Sequence, residues 1–219
     1  MNLAVDIDGT LTRGDGSGAL DPRVFGPLRA ADTVVACTGK VLPNAVSLCS
    51  YVGVPANAVA ETGGITYAEG EMRMLGDAEG LSAFVEEYAP DGDLGWGPTD
   101  IVNRWRETEI ALPLDRDRAR IDEVAEKHGL EVLDTGYAYH VKSPDVDKGQ
   151  GLVDVAERLG LDLSEFVAVG DSENDVHTFE VVGTSYAVAN ADEAARAAAD
   201  HVTEASYARG FVEAVRREN

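Results

Sequence analysis

The sequence predicts an α/β fold: a doubly wound, mostly parallel sheet core with a small α+β cap domain inserted into it. Short apolar runs, each ending in a polar turn, recur in both the N-terminal and C-terminal parts of the chain. Stretches with helical apolar spacing separate them, the alternation expected of strands and crossover helices. A middle stretch differs, reading as strands joined by short turns.

Leu3-Ala4-Val5 runs into Asp6, and Thr33–Cys37 runs into Thr38-Gly39. Phe166–Val169 runs into Gly170-Asp171, and Ser185–Ala189 into Asn190-Ala191-Asp192. None alternates strictly, which is how strands buried on both faces of a parallel sheet look. Helices are predicted over 42–52, 149–159, 193–199 and 211–216; Leu152, Val153, Val155, Ala156 and Leu159 mark the second. The core is therefore expected over 1–76 and 148–219, and the cap over 77–147. Within the cap we expect a helix carrying Leu81, Phe84, Val85 and Tyr88, then a Gly-rich loop at 91–98. A strand at 109–112, a helix at 115–128 and strands at 131–133 and 137–141 complete it.

Composition narrows the function. With 219 residues, 44% of them hydrophobic, the chain can build a real core. Two cysteines, Cys37 and Cys49, make no disulfide framework and fit a reducing, cytoplasmic setting. No run of about 18 apolar residues is present, so no membrane span is expected. Forty acidic against 18 basic residues give a net charge of −22, which disfavours nucleic acid and anionic lipid as partners. So large a charge suits a high-salt cytoplasm, where screening relieves self-repulsion.

Four motifs carry chemistry, each at a strand or helix end. In Asp6-Ile7-Asp8-Gly9-Thr10, Gly9 lets the chain turn, so one carboxylate can act as nucleophile and the other as proton donor. Thr38 and Gly39, before a helix, offer a hydroxyl and backbone N–H groups to phosphate oxygens. Lys148 is one of four lysines in the chain, and it sits at a helix start where the macrodipole disfavours a cation. An anion is expected beside it, as in phosphoryl transfer. Gly170–Asp175 holds three acids in five residues, more than capping needs. Asp171 and Asp175, about one helical turn apart, offer hard oxygens suited to Mg²⁺. Neither a phosphate-binding P-loop nor zinc spacing among the four histidines is found.

In this order the motifs resemble those of the haloacid dehalogenase superfamily of phosphohydrolases. The insert between the second and third motifs resembles the branch with an α/β cap there. Glu61-Thr62-Gly63-Gly64, Asp134–His140, Asp147-Lys148-Gly149 and Ala187–Ala191 resemble the patterns of archaeal phosphoglycolate phosphatases. Lys40 and Thr62 depart from that pattern, where Asn is usual at both. The resemblance implies a Mg²⁺-dependent phosphatase working through an aspartyl-phosphate on Asp6, with Asp8 as acid and then base. It implies that Asp6, the Asp8 main-chain carbonyl, Asp171 and Asp175 hold the metal. Thr38, Gly39 and Lys148 would grip the phosphoryl group, with Thr10 and Asn174 in support. The substrate it implies is a small phosphate ester, 2-phosphoglycolate first; a homodimer is compatible with it. A sugar-phosphate phosphatase or a phosphosugar mutase would use the same core, whereas a phospho-receiver would need neither cap nor Asp8. For a substrate carboxylate the sequence offers Arg106, either as its bidentate partner or as an ion-pair partner of Glu107 or Glu109.

The acidity makes a prediction. The thermal midpoint should rise with KCl well beyond about 0.5 M, because the screening length is roughly 30 Å at 0.01 M and far shorter in concentrated salt. A midpoint independent of salt in a melting series would leave simple solubility as the reason for the charge.

Overall fold

The computed structural model describes residues 1–218. It divides into two units, Met1–Arg73 with the chain from Asp147 onward, and Met74–Val146. The divisions fall at 73/74 and 146/147, against 76/77 and 147/148 expected from composition.

In the first unit the chain forms β1 (Asn2–Val5), α1 (Phe25–Ala30), β2 (Thr33–Cys37), α2 (Leu42–Val52), β3 (Ala58–Ala60), β4 (Ile65–Ala68) and, ending at the division, β5 (Glu71–Met74). The insert supplies α3 (Ala78–Tyr88), β6 (Glu109–Pro113), α4 (Arg118–Lys127), β7 (Glu131–Asp134) and β8 (Ala138–Lys142). The chain then returns through α5 (Lys148–Leu159), β9 (Phe166–Gly170), α6 (Val176–Val181), β10 (Thr184–Ala187), α7 (Glu193–Ala198), β11 (His201–Val202) and α8 (Tyr207–Arg217).

The large sheet has the order β11-β10-β9-β1-β2-β3-β4-β5. From β11 to β3 every pairing is parallel, and β4 runs antiparallel to β3. Strand β1 is buried throughout, and its residues alternate between two cores. Leu3 and Val5 pack with Val34, Leu48 and Phe211 on one face; Ala4 packs with Leu152, Phe166 and Phe179 on the other. This is the two-sided burial that the unbroken apolar runs predicted. From β1 the chain winds outward through β2 in one direction and returns at β9 on the other side. The carboxyl ends of β1 and β9 thus lie at a topological switch point, where open α/β sheets bind ligands.

The sequence pattern marks no element within segment 54–76. It holds β3, β4 and β5, and β3 is only three residues long. Helix α1 also carries too few apolar positions to mark itself, with Leu28 its one buried residue. Helix α8 begins at Tyr207, ahead of the expected 211, because Ala208 and Gly210 are buried alongside Phe211.

The insert is a three-stranded antiparallel sheet, order β6-β8-β7, with α3 and α4 against it. Leu81, Phe84, Leu112, Ile121 and Val141 form its core. Asn103 ties the irregular segment to β6: its Nδ2 donates to the Ala111 carbonyl at 2.9 Å and its Oδ1 accepts from the Ala111 N–H at 2.8 Å. Here one expectation is corrected. Arg106 does not hold out a guanidinium for a substrate carboxylate. Its Nη1 pairs with Glu109, and its Nε donates to the Val102 carbonyl at 3.1 Å. The Arg106 side chain is 7% exposed and that of Glu109 fully buried, with His140 Nδ1 2.7 Å from the same carboxylate. A carboxylate buried on β6 needs a cation, and Arg106 lies three residues before it in the chain.

Arg106→Ala should therefore act on stability. Removing one partner of a buried pair typically costs about 3 kcal/mol or more. Chemical denaturation should register that loss; a stable variant with altered substrate preference would reinstate the substrate role.

Candidate active site

The site grows from two strand ends and one helix start. Strand β1 delivers Asp6, whose N–H donates to the Val169 carbonyl of β9 at 3.0 Å. Beyond β9, Asp171 and Asp175 follow, and Asp175 Oδ2 accepts from the N–H groups of Asp171 at 2.9 Å and Ser172 at 3.2 Å. Helix α5 delivers Lys148 as its first residue, fixed because Asp147 caps the helix by accepting from the Gln150 N–H at 2.8 Å. The Lys148 Nζ then lies 2.8 Å from Asp6 Oδ1 and 2.7 Å from Asp175 Oδ1. Lys148 is fully buried, and Asp6 and Asp175 nearly so.

Three glycines make this approach possible. A Cβ on Gly9, whose φ is +83°, would lie 1.9 Å from Asp171 Oδ2. One on Gly170 would lie 2.4 Å from Asp175 Oδ2, and one on Gly63 2.0 Å from the Asp147 carbonyl. Backbone and carboxylate thus meet where a side chain cannot stand.

Asp6, Asp171 and Asp175 each offer an oxygen within 4.8 Å of the others. One ammonium faces these three carboxylates. Burial, reinforced by Asp175 and Asp171 and opposed by Lys148, holds Asp6 well above the usual carboxylate range. Burial and then the Asp175 charge push Asp171 up to about 7. Burial would lower the Lys148 ammonium, but Asp175 and Asp6 outweigh it and hold it above the usual lysine value. Asp6 Oδ2 is buried with no hydrogen-bond partner. An unpartnered hard oxygen, two carboxyls held above their usual range and a shortage of positive charge together fit a divalent cation.

Of the supporting residues, Thr10 Oγ1 donates to Asp171 Oδ1 at 3.3 Å. Asn174 stays local, accepting from Ser172 Oγ at 3.0 Å. Thr38 is buried at the end of β2; its Oγ1 accepts from the Lys40 N–H at 3.1 Å. Gly39 lies between them. Burial pushes the Cys37 thiol up to about 12, as befits a small strand residue with no nucleophilic part. Asp8 stands apart from the carboxylate cluster: it is exposed, and its Oδ2 lies 2.8 Å from Lys40 Nζ.

Some contributors were not singled out from sequence. Asn190 Nδ2 donates to the Gly9 carbonyl at 3.1 Å, and its Oδ1 accepts from the Tyr207 N–H at 2.6 Å. Asp192 Oδ2 accepts from the Glu173 N–H at 2.7 Å. Both lie in the polar turn after the apolar run at 185–189, which was the available signal. Glu61 and Thr62 stand in the left-handed region at φ 49° and 52°. Their N–H groups donate to the carbonyls of Lys40 at 2.9 Å and Thr38 at 3.2 Å. Asn tolerates such a φ better than the β-branched Thr does, so position 62 carries backbone strain where it meets the Thr38 carbonyl.

Residues 120–215 match the family of haloacid dehalogenase-like hydrolases. A phosphoglycolate phosphatase of Natronomonas pharaonis is 56% identical over 219 residues, covering 98% of this chain and 96% of that one. This chain belongs to the haloacid dehalogenase-like hydrolases. A phosphoglycolate phosphatase of Haloarcula marismortui is 51% identical, covering 97% of this chain and 95% of that one. Both relatives come from halophilic archaea, which fits the acidic composition of the hydrolase. A Thermoplasma acidophilum crystal structure matches it with a TM-score of 0.83 at 26% identity, covering 99% of this chain and 97% of that one. Among the described residues, no helix is long and apolar enough to cross a membrane.

The raised carboxyls make a pH prediction for the metal-free protein. A carboxyl whose value is raised on folding favours the folded state when protonated, so stability falls as pH climbs from its unfolded value near 4 towards about 7. In melts without metal the midpoint should fall between pH 5 and about 7. Asp171→Asn should flatten that slope, and an added divalent cation should do the same. A slope unchanged by both would place the charge shortage elsewhere.

Proposed function

We propose that this hydrolase splits a small phosphate monoester, 2-phosphoglycolate, into glycolate and phosphate through an aspartyl-phosphate on Asp6. The observation that carries the reading is the contrast between Asp6 and Asp8. Two residues apart, they occupy opposite environments. Asp6 is buried, held at Oδ1 by Lys148, with Oδ2 left unpartnered. Asp8 is exposed beyond the turn made at Gly9. A fixed carboxylate suits a nucleophile, and an accessible one suits a proton carrier.

The steps follow from those positions. An Asp6 carboxylate oxygen forms a bond to phosphorus as the ester P–O bond breaks, and the Asp8 carboxyl gives its proton to the departing alkoxide. Asp8, now a carboxylate, takes a proton from water as that water attacks phosphorus, releasing phosphate and restoring Asp6. Lys148 stabilises the negative charge on the phosphoryl oxygens. Thr38 and Gly39 line the adjoining strand end and orient them. Asp6, the Asp8 main-chain carbonyl, Asp171 and Asp175 would hold Mg²⁺. Bound there, the cation would keep Asp6 ionised and neutralise the phosphoryl group. The names of the curated relatives support phosphoglycolate as the substrate, and the sequence character supports a cytoplasmic enzyme.

A screen of small phosphate esters with Mg²⁺ tests the proposal, with 2-phosphoglycolate expected to give the highest kcat/KM and a sugar phosphate in that place contradicting it. Asp6→Asn should abolish turnover because an amide cannot attack phosphorus. Asp8→Asn should slow it by about 100- to 10,000-fold, with less effect on the first step for a nitrophenyl ester, whose leaving group needs no proton. Equal slowing of phosphoryl-enzyme formation from alkyl and nitrophenyl esters would remove Asp8 as the acid.

A further inference from the structure

With Arg106 held by Glu109 and Lys148 enclosed between two carboxylates, neither cation is open to a second anionic group on the substrate. Lys40 differs. Its Nζ lies 2.8 Å from Asp8 Oδ2, and the two side chains are 43% and 49% exposed. An ion pair that open to water holds its partners weakly and can exchange or share them. The Lys40 backbone, by contrast, is pinned: its N–H donates to Thr38 Oγ1 at 3.1 Å and its carbonyl accepts from the Glu61 N–H at 2.9 Å. The base of the side chain is thus fixed beside the loop proposed to grip phosphate, and its ammonium is open to solvent.

We infer that Lys40 is a specificity-determining residue, binding a carboxylate carried on the carbon next to the ester oxygen of the substrate. The inference rests on the reading of Asp8 as proton donor to the leaving group. A proton donor must lie within hydrogen-bond reach of the leaving oxygen, so a cation paired with its other oxygen stands close to that same atom. In 2-phosphoglycolate the carboxylate is two bonds from the ester oxygen. An ammonium has three donors, enough to keep Asp8 in place and bond the substrate carboxylate together. A neutral alcohol or sugar leaving group offers nothing for the third partner to hold. Lys40 therefore selects anionic leaving groups at the point of bond cleavage.

The test compares wild type, Lys40→Met and Lys40→Arg on two esters, 2-phosphoglycolate and 2-hydroxyethyl phosphate, with Mg²⁺ in concentrated KCl. The second ester has the same skeleton with an uncharged hydroxymethyl group replacing the carboxylate. The readout is the ratio of the two kcat/KM values, which a general loss of structure does not move. Wild type should prefer 2-phosphoglycolate. Lys40→Met should cut that preference by about tenfold or more, the value of one charge-assisted hydrogen bond, mainly through KM. Lys40→Arg should keep most of it. A ratio unchanged in Lys40→Met, or lost equally in Lys40→Arg, would overturn the assignment. Absence of any preference in wild type would overturn the substrate reading itself, a result that needs no variant and so is distinct.

Discussion

The ammonium of Lys148, enclosed between Asp6 and Asp175, is the interaction on which the rest of the site depends. A lysine taken fully out of water is costly unless opposite charges meet it at contact distance. Both carboxylates do so, within 2.8 Å. To bring them there, β1 and β9 must run parallel and adjacent, with α5 starting at Lys148. The Gly63 approach to the Asp147 carbonyl sets that start, and Gly170 leaves the room that Asp175 occupies. The sheet order and these close-approach glycines together place the buried charge.

That charge is also insufficient. Three carboxylates meet one ammonium, so Asp6 and Asp171 hold their protons more tightly than solvated aspartates do. The deficit links stability to function. Under the proposed function, a hard divalent cation and the charge distribution of phosphoryl transfer would both relieve that deficit. Asp8 stands outside the cluster, exposed and paired with Lys40, the position the proposed proton carrier requires.

Much of this was legible in the sequence because parallel sheets put their chemistry where apolar runs stop. Asp6, Thr38 and Asp171 each follow such a run, and Lys148 stands out in a chain with four lysines. What was not legible has physical causes. Strand β3 is too short to show a period, and α1 buries one side chain. Arg106 was open to two readings, and the burial of Glu109 on β6, invisible in the residue pattern, decides for the ion pair. The pairing of Lys40 with Asp8 joins positions 40 and 8 through β2 and β1 side by side, a contact that only the sheet order reveals. The left-handed turn at Glu61 and Thr62 hides for the opposite reason: neither residue type signals a positive φ.

The central claim is that Asp6, held by Lys148, accepts the phosphoryl group. Acid-quenched single turnover with a phosphorus-labelled ester, followed by peptide mapping, tests it most directly. The account predicts acid-stable, hydroxylamine-labile label on the peptide bearing Asp6, formed and lost at rates compatible with turnover. Label on a different residue, or turnover with no labelled enzyme at any time point, would contradict it.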